Sequence, residues 1–295
     1  MDNNISWELY RSYLSVLQEG SLSGAARALG VAQPTVGRHI DTLEQQLGVS
    51  LFTRSQQGLL ATEAAQALKP FAQSMQANAA ALLRAAEAQG SGVRGTVRIS
   101  ASEVVGAEVL PPVIAGLKGQ YPELNVELVL TNRVQDLLHR EADIAVRMVA
   151  PEQGSLIARR IGDIELGLHA HRRYLDARGT PQTLEQLTEH ALIGFDQETP
   201  FLRSARHWLP QWRREHFTLR TDSDLAQLAM IRAGVGIGVC QVRVAQRDPA
   251  LVRVLAHPFK PRLTSWLTMH EDLRNSPRCK VTFEALLSGL EQYVG

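Results

Sequence analysis

The sequence has little that would suit an exported or membrane-bound protein. Its 295 residues include two cysteines, Cys240 and Cys279, too few for a disulfide framework, and neither lies in a C-x-x-C motif. No apolar run approaches the length of a membrane span, and the opening Met-Asp-Asn-Asn has neither the basic nor the apolar segment of a signal peptide. We therefore expect a cytoplasmic protein without a membrane partner, in which both cysteines are buried thiols.

Positive charge is scarce at the N-terminal end. No lysine precedes Lys69, and residues 1–62 hold four arginines against five acidic residues, a net charge of −1. If this segment binds nucleic acid, the binding must therefore depend on where its charged side chains point rather than on how many there are. The overall composition, with 44% hydrophobic and 21% charged residues, is typical of a globular protein, and the length suggests two domains.

Motifs of catalysis are absent as well. The sequence contains no G-x-S-x-G, no P-loop and no H-E-x-x-H. His169 and His171 would share one face of a strand, but no third ligand is spaced nearby, so polar surface is a better interpretation than a metal site. The sequence predicts neither an enzyme, nor a metal site, nor a cofactor.

Two short helices are predicted close together near the N-terminus. Ser21 suits the cap of a helix over Leu22–Leu29, and Gly30 follows where a left-handed terminator is needed. A second helix is predicted from Gln33 to about Leu47, because Pro34 fits the first turn of a helix, where its missing N–H has no partner to lose.

The second helix has separate apolar, polar and acidic faces. Its apolar residues follow the spacing of one buried stripe: Val36, Ile40, Leu43 and Leu47. A neighbouring face carries Thr35, Arg38, His39, Thr42 and Gln46, whereas Asp41 and Glu44 lie on the opposite flank. Such a face suits a recognition helix in a DNA major groove, although by itself it would suit a solvated surface equally well.

The next segment favours the DNA interpretation. Residues 51–62, "LFTRSQQGLLAT", are predicted to form two short strands around a turn at Gly58, with Arg54 as the only cation. A hairpin beside a helix-turn-helix is a wing that reaches the DNA backbone or minor groove.

The stretch "GSLSGAARALGVAQPTVGRHIDTLEQQLGVSLFTR" resembles the winged helix-turn-helix of LysR-type transcriptional regulators, with its small-residue helix, Q-P-x-V start, L-E-x-x-L-G end and L-F-x-R wing. The resemblance implies binding to double-stranded promoter DNA through Gln33, Pro34, Thr35, Arg38, His39, Thr42 and Arg54. Ala32 and Gly37 stand where the family commonly has serine, and Gln56 and Gln57 occupy a wing tip that is often basic. These departures suggest weaker non-specific affinity rather than a lost function.

Residues 61–90 contain twelve alanines, a composition that favours helix. Spacings of four and three alternate along the seam Ala64, Leu68, Phe71, Met75, Asn78, Leu82 and Ala85, as in a pairing helix. A helix lying on its own domain is the alternative, and Pro70 weakens the seam. The family resemblance implies a linker helix that pairs two subunits, followed by a hinge at Gly90–Gly95.

Beyond the hinge, strand-like and helix-like segments alternate, which predicts mainly parallel sheets covered on both faces, in two lobes with a ligand cleft between them. One of the predicted helices covers Val134–Glu141. Stretches such as "EADIAVR" and "LIARRIGDIELGLHAHRRYL" resemble the effector-binding domain of LysR-type regulators, which is similar in fold to periplasmic binding proteins. The family's pocket maps onto Ser100, Ala101, Ser102, Thr131, Arg147, Phe195 and Phe201. For each of these residues a structural role is an equal alternative, because serines at strand ends also cap helices.

The predicted chain is therefore α/β, with an N-terminal winged helix-turn-helix (1–62), a long linker or dimerisation helix (63–89) and a two-lobed α/β effector-binding domain (90–295). We expect a ligand-responsive regulator that binds promoter DNA as a homodimer or homotetramer, with RNA polymerase as a partner if it is an activator. One alternative is a small-molecule-binding protein without sequence-specific DNA binding. Another is an architectural DNA-binding protein that does not read sequence.

Overall fold

The structure is a computed structural model that describes residues 5–55, 58–87, 92–132, 142–151, 156–198, 202–203, 209, 212–257 and 259–295. These residues divide into two compact units, one that ends at Ala86 and one that begins at Glu87. None of the described helices is long and apolar enough to cross a lipid bilayer.

The first unit opens with three helices, α1 (Trp7–Glu19), α2 (Leu22–Leu29) and α3 (Gln33–Leu47). The two helices predicted from the sequence, α2 and α3, are confirmed at both ends. Ser21 caps α2 by accepting the N–H of Gly24, whereas α3 begins after Ala32 without a side-chain cap. Its predicted apolar stripe is buried at Val36, Ile40 and Leu43 and packs against α1 and α2.

A hairpin and a long helix complete this unit. Strands β1 (Phe52–Ser55) and β2 (Gly58–Ala61) pair in antiparallel fashion, as predicted, although Gly58 is the first residue of β2, paired with Ser55, rather than part of the turn. Helix α4 (Glu63–Glu87) follows, capped by the Thr62 hydroxyl, which accepts the N–H of Ala65 at 3.2 Å. The hydroxyl of the buried Tyr13 in α1 donates to the carbonyl of Ala65, so that the first turn of α4 is fixed to the three-helix core.

The second unit alternates strands and helices. Its described elements are β3 (Gly95–Ala101), α5 (Leu110–Gln120), β4 (Leu124–Leu130), β5 (Ile144–Arg147), β6 (Leu156–His171), α6 (Arg172–Arg178), β7 (Leu192–Gly194), β8 (Phe217–Arg220), α7 (Asp224–Arg232), β9 (Ile237–Gln241), α8 (Val242–Ala245), β10 (Leu251–Val254), β11 (Arg262–His270) and α9 (Pro277–Val294). A π-helical turn at Val105–Val109 leads into α5.

The strands follow the order β4-β3-β5-β11-β6-β9-β7-β8, and β10 pairs with β6. We call the part built on β3, β4 and β5 with α5 and α9 lobe 1, and the part built on β7 to β10 with α6 to α8 lobe 2. Strand β6, 16 residues long, runs through both lobes: its first part pairs with β11 and its second part with β9 and β10. The register of β6 against β11 shifts where Ser265 pairs with Gly162 and Trp266 with Arg160.

The expectation of mainly parallel sheets is wrong. Strand β3 is parallel to β4 and β5, and β7 is parallel to β8 and β9, but β6 and β11 are antiparallel to their neighbours. The reason is topological: β6 carries the chain from lobe 1 into lobe 2 and β11 carries it back, so the two strands run in opposite directions side by side. The helix predicted at 134–141 lies outside the described residues.

Candidate functional site

The predicted DNA contacts of α3 lie outside its buried stripe, and Thr35, Arg38, His39 and Thr42 lie on the neighbouring face. Gln33, Pro34 and Arg38 are exposed, and Thr35, His39 and Thr42 are partly buried. Asp41 is exposed on the other flank. The helix therefore presents hydrogen-bonding side chains and one arginine to solvent without a carboxylate among them, the character that a major groove favours.

His39 is hydrogen-bonded to α1. Its Nδ1 lies 2.7 Å from the hydroxyl of Ser12 in α1, a residue that is 2% exposed. The bond fixes the ring plane and ties α3 to α1, so His39 has a structural contact in addition to its place on the polar face.

Glu44 has a different role from a simple acidic flank. One of its carboxylate oxygens, Oε1, accepts the N–H of Leu51 at 2.6 Å and the N–H of Phe52 at 3.1 Å. Hydrogen bonds to a charged acceptor are the stronger class. The last turns of α3 thus hold the first residues of the wing.

The wing is fixed at its other strand as well. The N–H of Leu59 in β2 donates to the carbonyl of Gly20, the glycine that ends α1, at 3.0 Å. A side chain at Gly58 would come within 2.7 Å of that same carbonyl oxygen, so the close approach requires glycine. Arg54, opposite Leu59 in the hairpin, is exposed and stands on an anchored strand.

In lobe 1 the predicted pocket residues meet at neighbouring strand ends. Ser100 in β3 is fully buried, and its hydroxyl accepts a 2.6 Å hydrogen bond from Nη2 of Arg147, which ends β5 and is also buried. Thr131, just after β4, donates its N–H to the carbonyl of Ala101 at 2.9 Å. Ser100, Ala101, Thr131 and Arg147 are therefore brought together, with the serine hydroxyl bound to the arginine.

The remaining pocket residues are placed separately. Ser102 is partly buried, and its carbonyl accepts the N–H of Gly106. Phe195, just after β7, packs against the core of lobe 2. Phe201 lies outside the described residues.

The lobes also contact each other through α7. Glu103 and Asn132 of lobe 1 hydrogen-bond to Ser223, Asp224 and Leu225 at the start of α7, and Glu108 of the π-helical turn forms a two-bond ion pair with Arg232 at its end, at 2.7 and 2.9 Å. Burial, together with the charge of Glu103, raises the pKa of Asp224 to about 6. The hydrogen bond from Arg232 instead lowers the pKa of Glu108.

Helix α4 leaves large apolar side chains uncovered in this chain. Phe71 is 71% exposed and Leu82 is 68% exposed, and both lie on the predicted seam. Asn78 on the seam donates from Nδ2 to the carbonyl of Ser74 at 3.0 Å. An exposed apolar row of this kind marks an interaction surface.

Comparison with known proteins identifies the architecture. The profile described as "LysR substrate binding domain" matches residues 90–291, and the one described as "Bacterial regulatory helix-turn-helix protein, lysR family" matches residues 7–66. The chain belongs to the LysR family of transcriptional regulators. It has the DNA-binding and effector-binding domains of that family, whose members are regulators and not enzymes.

Among relatives of this LysR-family regulator, one from Xanthomonas campestris, described as an HTH-type transcriptional regulator, is 31% identical over 184 residues, which are 61% of this chain and 53% of that one. The regulator CrgA of Neisseria meningitidis is 29% identical over 268 residues, 84% of this chain and 86% of CrgA. The structure of full-length CbnR complexed with its target DNA is similar in fold, with a TM-score of 0.65 at 19% identity, over 98% of this chain and 99% of that one.

Several residues of this LysR-family regulator could not be assigned from its sequence. Glu44 carries no signal beyond its place on the acidic flank, and the contacts of Asn132 and Asp224 join positions 92 residues apart. The expectation for the cysteines is confirmed: both are buried. The interpretation of His169 as polar surface is wrong, because the residue is 2% exposed inside the sheet. Cys240 Sγ lies 3.3 Å from His169 Nδ1; burial raises the pKa of the thiol to about 12 and lowers that of the imidazole to about 4.

Proposed function

We propose that α3 reads promoter DNA through Gln33, Pro34, Thr35, Arg38, His39 and Thr42, while Arg54 of the wing contacts the phosphate backbone. The proposal is supported chiefly by one observation: the polar face of α3 combines the exposed Arg38 with partly buried Thr35, His39 and Thr42 and carries no carboxylate, and the same helix anchors the wing through Glu44. In this arrangement Arg38 carries sequence information and Arg54 positions the protein.

The functional unit is an oligomer. The chain has three functional segments: residues 1–62 read DNA, residues 63–89 form the pairing helix, and residues 90–295 sense the effector. Helix α4 pairs two subunits through the exposed apolar row that contains Phe71 and Leu82. Two heads then meet two half-sites of the promoter, in a homodimer or homotetramer. An activator of this type would also contact RNA polymerase, and the regulator would act in the cytoplasm at the nucleoid.

The sensor takes a small molecule in the cleft at the strand ends that hold Ser100, Ala101, Ser102, Thr131 and Arg147, with Phe195 contributed by lobe 2. Phe201 is carried over as a further contact from the family resemblance alone. Effector binding changes lobe closure and, through α4, the spacing of the heads. A saturating effector that changed neither DNA affinity nor footprint would contradict this coupling.

The test of DNA reading is a salt titration of the full chain by fluorescence anisotropy, on duplex from the region upstream of its own gene and on scrambled duplex of equal length. A promoter reader prefers the genomic duplex and loses affinity linearly in log salt. Equal affinity for both duplexes would indicate an architectural DNA-binding protein. Weak association with both would indicate a small-molecule-binding protein that merely oligomerises through its N-terminal helices.

A further inference from the structure

The start of α7 is bound by a side chain of the other lobe. Oε2 of Glu103, which follows β3, lies 2.8 Å from the hydroxyl of Ser223 and accepts the N–H of Leu225 at 3.3 Å. The Ser223 hydroxyl also caps the helix by accepting the N–H of Ala226. A carboxylate of lobe 1 thus satisfies a free donor at a helix start of lobe 2, where the helix dipole favours negative charge.

Asn132, just after β4, also links lobe 1 to the start of α7. Its Oδ1 accepts the N–H of Glu103 at 3.1 Å, and its Nδ2 donates to Oδ2 of Asp224 at 2.8 Å. Because the two ends of the amide have different partners, the side chain has one preferred orientation. Glu103, Asn132, Ser223 and Asp224 form one network, which we call the interlobe latch, two residues from each lobe.

The latch places two carboxylates at one helix start. Glu103 is the charged group that acts on Asp224 among the described residues, and it raises the pKa of Asp224 in addition to the effect of burial, whereas the hydrogen bond from Asn132 opposes the rise. Asp222, two residues earlier, is turned away: its Oδ1 accepts the N–H groups of Asp196 and Gln197. Ionised Asp224 therefore makes the closed latch unfavourable, and protonated Asp224 can still accept from Asn132.

We propose that the interlobe latch makes the docking of the start of α7 on lobe 1 proton-sensitive, so that the two are held together more tightly as the pH falls from about 7.5 to 5. Leu228 and Ile231, further along α7, belong to an apolar core shared with lobe 1, so the step concerns the start of the helix alone. When that start leaves lobe 1, Asp224 loses Glu103 and Asn132 and returns to water, where an aspartate has an ordinary pKa of about 3.9. Closing then takes up a proton, and the closed state gains population on acidification. The ion pair of Glu108 with Arg232 supplies a contact between the lobes that stays charged throughout this range.

The size of the effect follows from the two pKa values. With a pKa of about 6 in the closed state and about 3.9 in the open state, the closing equilibrium rises about tenfold between pH 7.5 and pH 5. The latch itself needs no effector. One consequence of it, a pH dependence of the affinity for the effector, rests on the proposed function of the cleft.

The experiment is hydrogen–deuterium exchange on the full chain without effector or DNA, from pH 7.5 to 5, with the intrinsic pH dependence of exchange removed. We expect protection of the first turn of α7 to rise about tenfold in the wild type. Asp224→Asn, which cannot ionise, should be equally protected at all pH values. Asp176→Asn, which removes an exposed carboxylate in α6, is the control and should retain the wild-type profile.

Glu103→Gln separates proton sensing from mere structural support. Without the negative charge of Glu103 the pKa of Asp224 falls, so the midpoint of the protection profile should move to lower pH while the profile persists. Protection that does not change with pH in the wild type, or a profile that Asp224→Asn leaves intact, would overturn the proposal. If Asp224→Asn does not fold, the wild-type profile and the midpoint shift in Glu103→Gln decide the question. Neither outcome bears on DNA binding, which is measured separately.

Discussion

The hydroxyl of Ser12 in α1 and Nδ1 of His39 in α3 lie 2.7 Å apart, and this bond joins the scaffold helix to the helix that carries the reading face. Its position behind the polar face means that the orientation of α3 is set partly by a group that the DNA would never touch.

Removing the Ser12 hydroxyl should therefore affect both stability and DNA binding. We expect Ser12→Ala to lower the free energy of unfolding by about 1 kcal/mol, the usual net value of such a bond, and to weaken promoter binding several-fold because His39 loses its fixed orientation. Urea unfolding and fluorescence anisotropy measure the two effects. Ser23→Ala, at an exposed serine of α2, is the control. Identical behaviour of the two variants would contradict a role for the Ser12–His39 bond.

Arg38 and Arg54 should differ in what they contribute. Arg38→Ala is expected to reduce discrimination between promoter and scrambled duplex by about 1 to 3 kcal/mol. Arg54→Ala is expected to weaken binding to both duplexes by the same factor. It should also lower the slope of log affinity against log salt by about one unit. Salt titrations of both variants on both duplexes test this. Equal losses on the two duplexes in both variants would refute the division of roles.

The wing should depend on Glu44. Glu44→Ala leaves the N–H groups of Leu51 and Phe52 without their acceptor, and Leu51 is fully buried, so we expect a loss of about 1 to 3 kcal/mol in unfolding free energy. The contact of Arg54 with DNA should weaken at the same time. Asp41→Ala, at an exposed acid of the same helix, should do neither. Denaturant titration measures the unfolding free energy of each variant, and the slope of log affinity against log salt measures the contact of Arg54 with DNA.

Self-association should depend on the exposed row of α4. Leu82→Glu is expected to shift the chain from oligomer toward monomer and to change the fold of the monomer little, because the side chain is 68% exposed within the subunit. Sedimentation velocity over a range of concentrations measures the shift. Gln73→Glu adds the same charge at an exposed polar position of the helix and should leave the association unchanged.

Acid should destabilise the chain through His169. Burial holds the pKa of His169 at about 4, whereas an unfolded histidine titrates near 6.5, so between these values the unfolded state binds a proton that the folded state does not. Stability should fall by up to about 3 kcal/mol as the pH drops through this window. Urea unfolding between pH 7 and 4 should show a shallower decline in His169→Gln and an unchanged one in the control His257→Gln, whose side chain is exposed. A decline of wild-type size in His169→Gln would count against this origin.

Much of this protein follows from local sequence. The ends of α2 and α3, the wing hairpin and the alternation of strands and helices were predictable, because caps, left-handed glycines and the 3.6-residue period act within a few residues of each other. The faces of α3 were predictable for the same reason: Val36, Ile40 and Leu43 fix which side is buried and hence which side carries Arg38.

What the tertiary structure decided is the set of contacts that join distant positions. These contacts depend on which elements become neighbours in the fold. They include the antiparallel course of β6 and β11 between the lobes and the hydrogen bonds of Glu44 to the wing. They also include the bond from Arg147 to Ser100 and the network of Glu103 and Asn132 with Ser223 and Asp224. Periodicity fixes the face of an element but not its neighbour, because the packing energy that selects the neighbour is summed over the whole core.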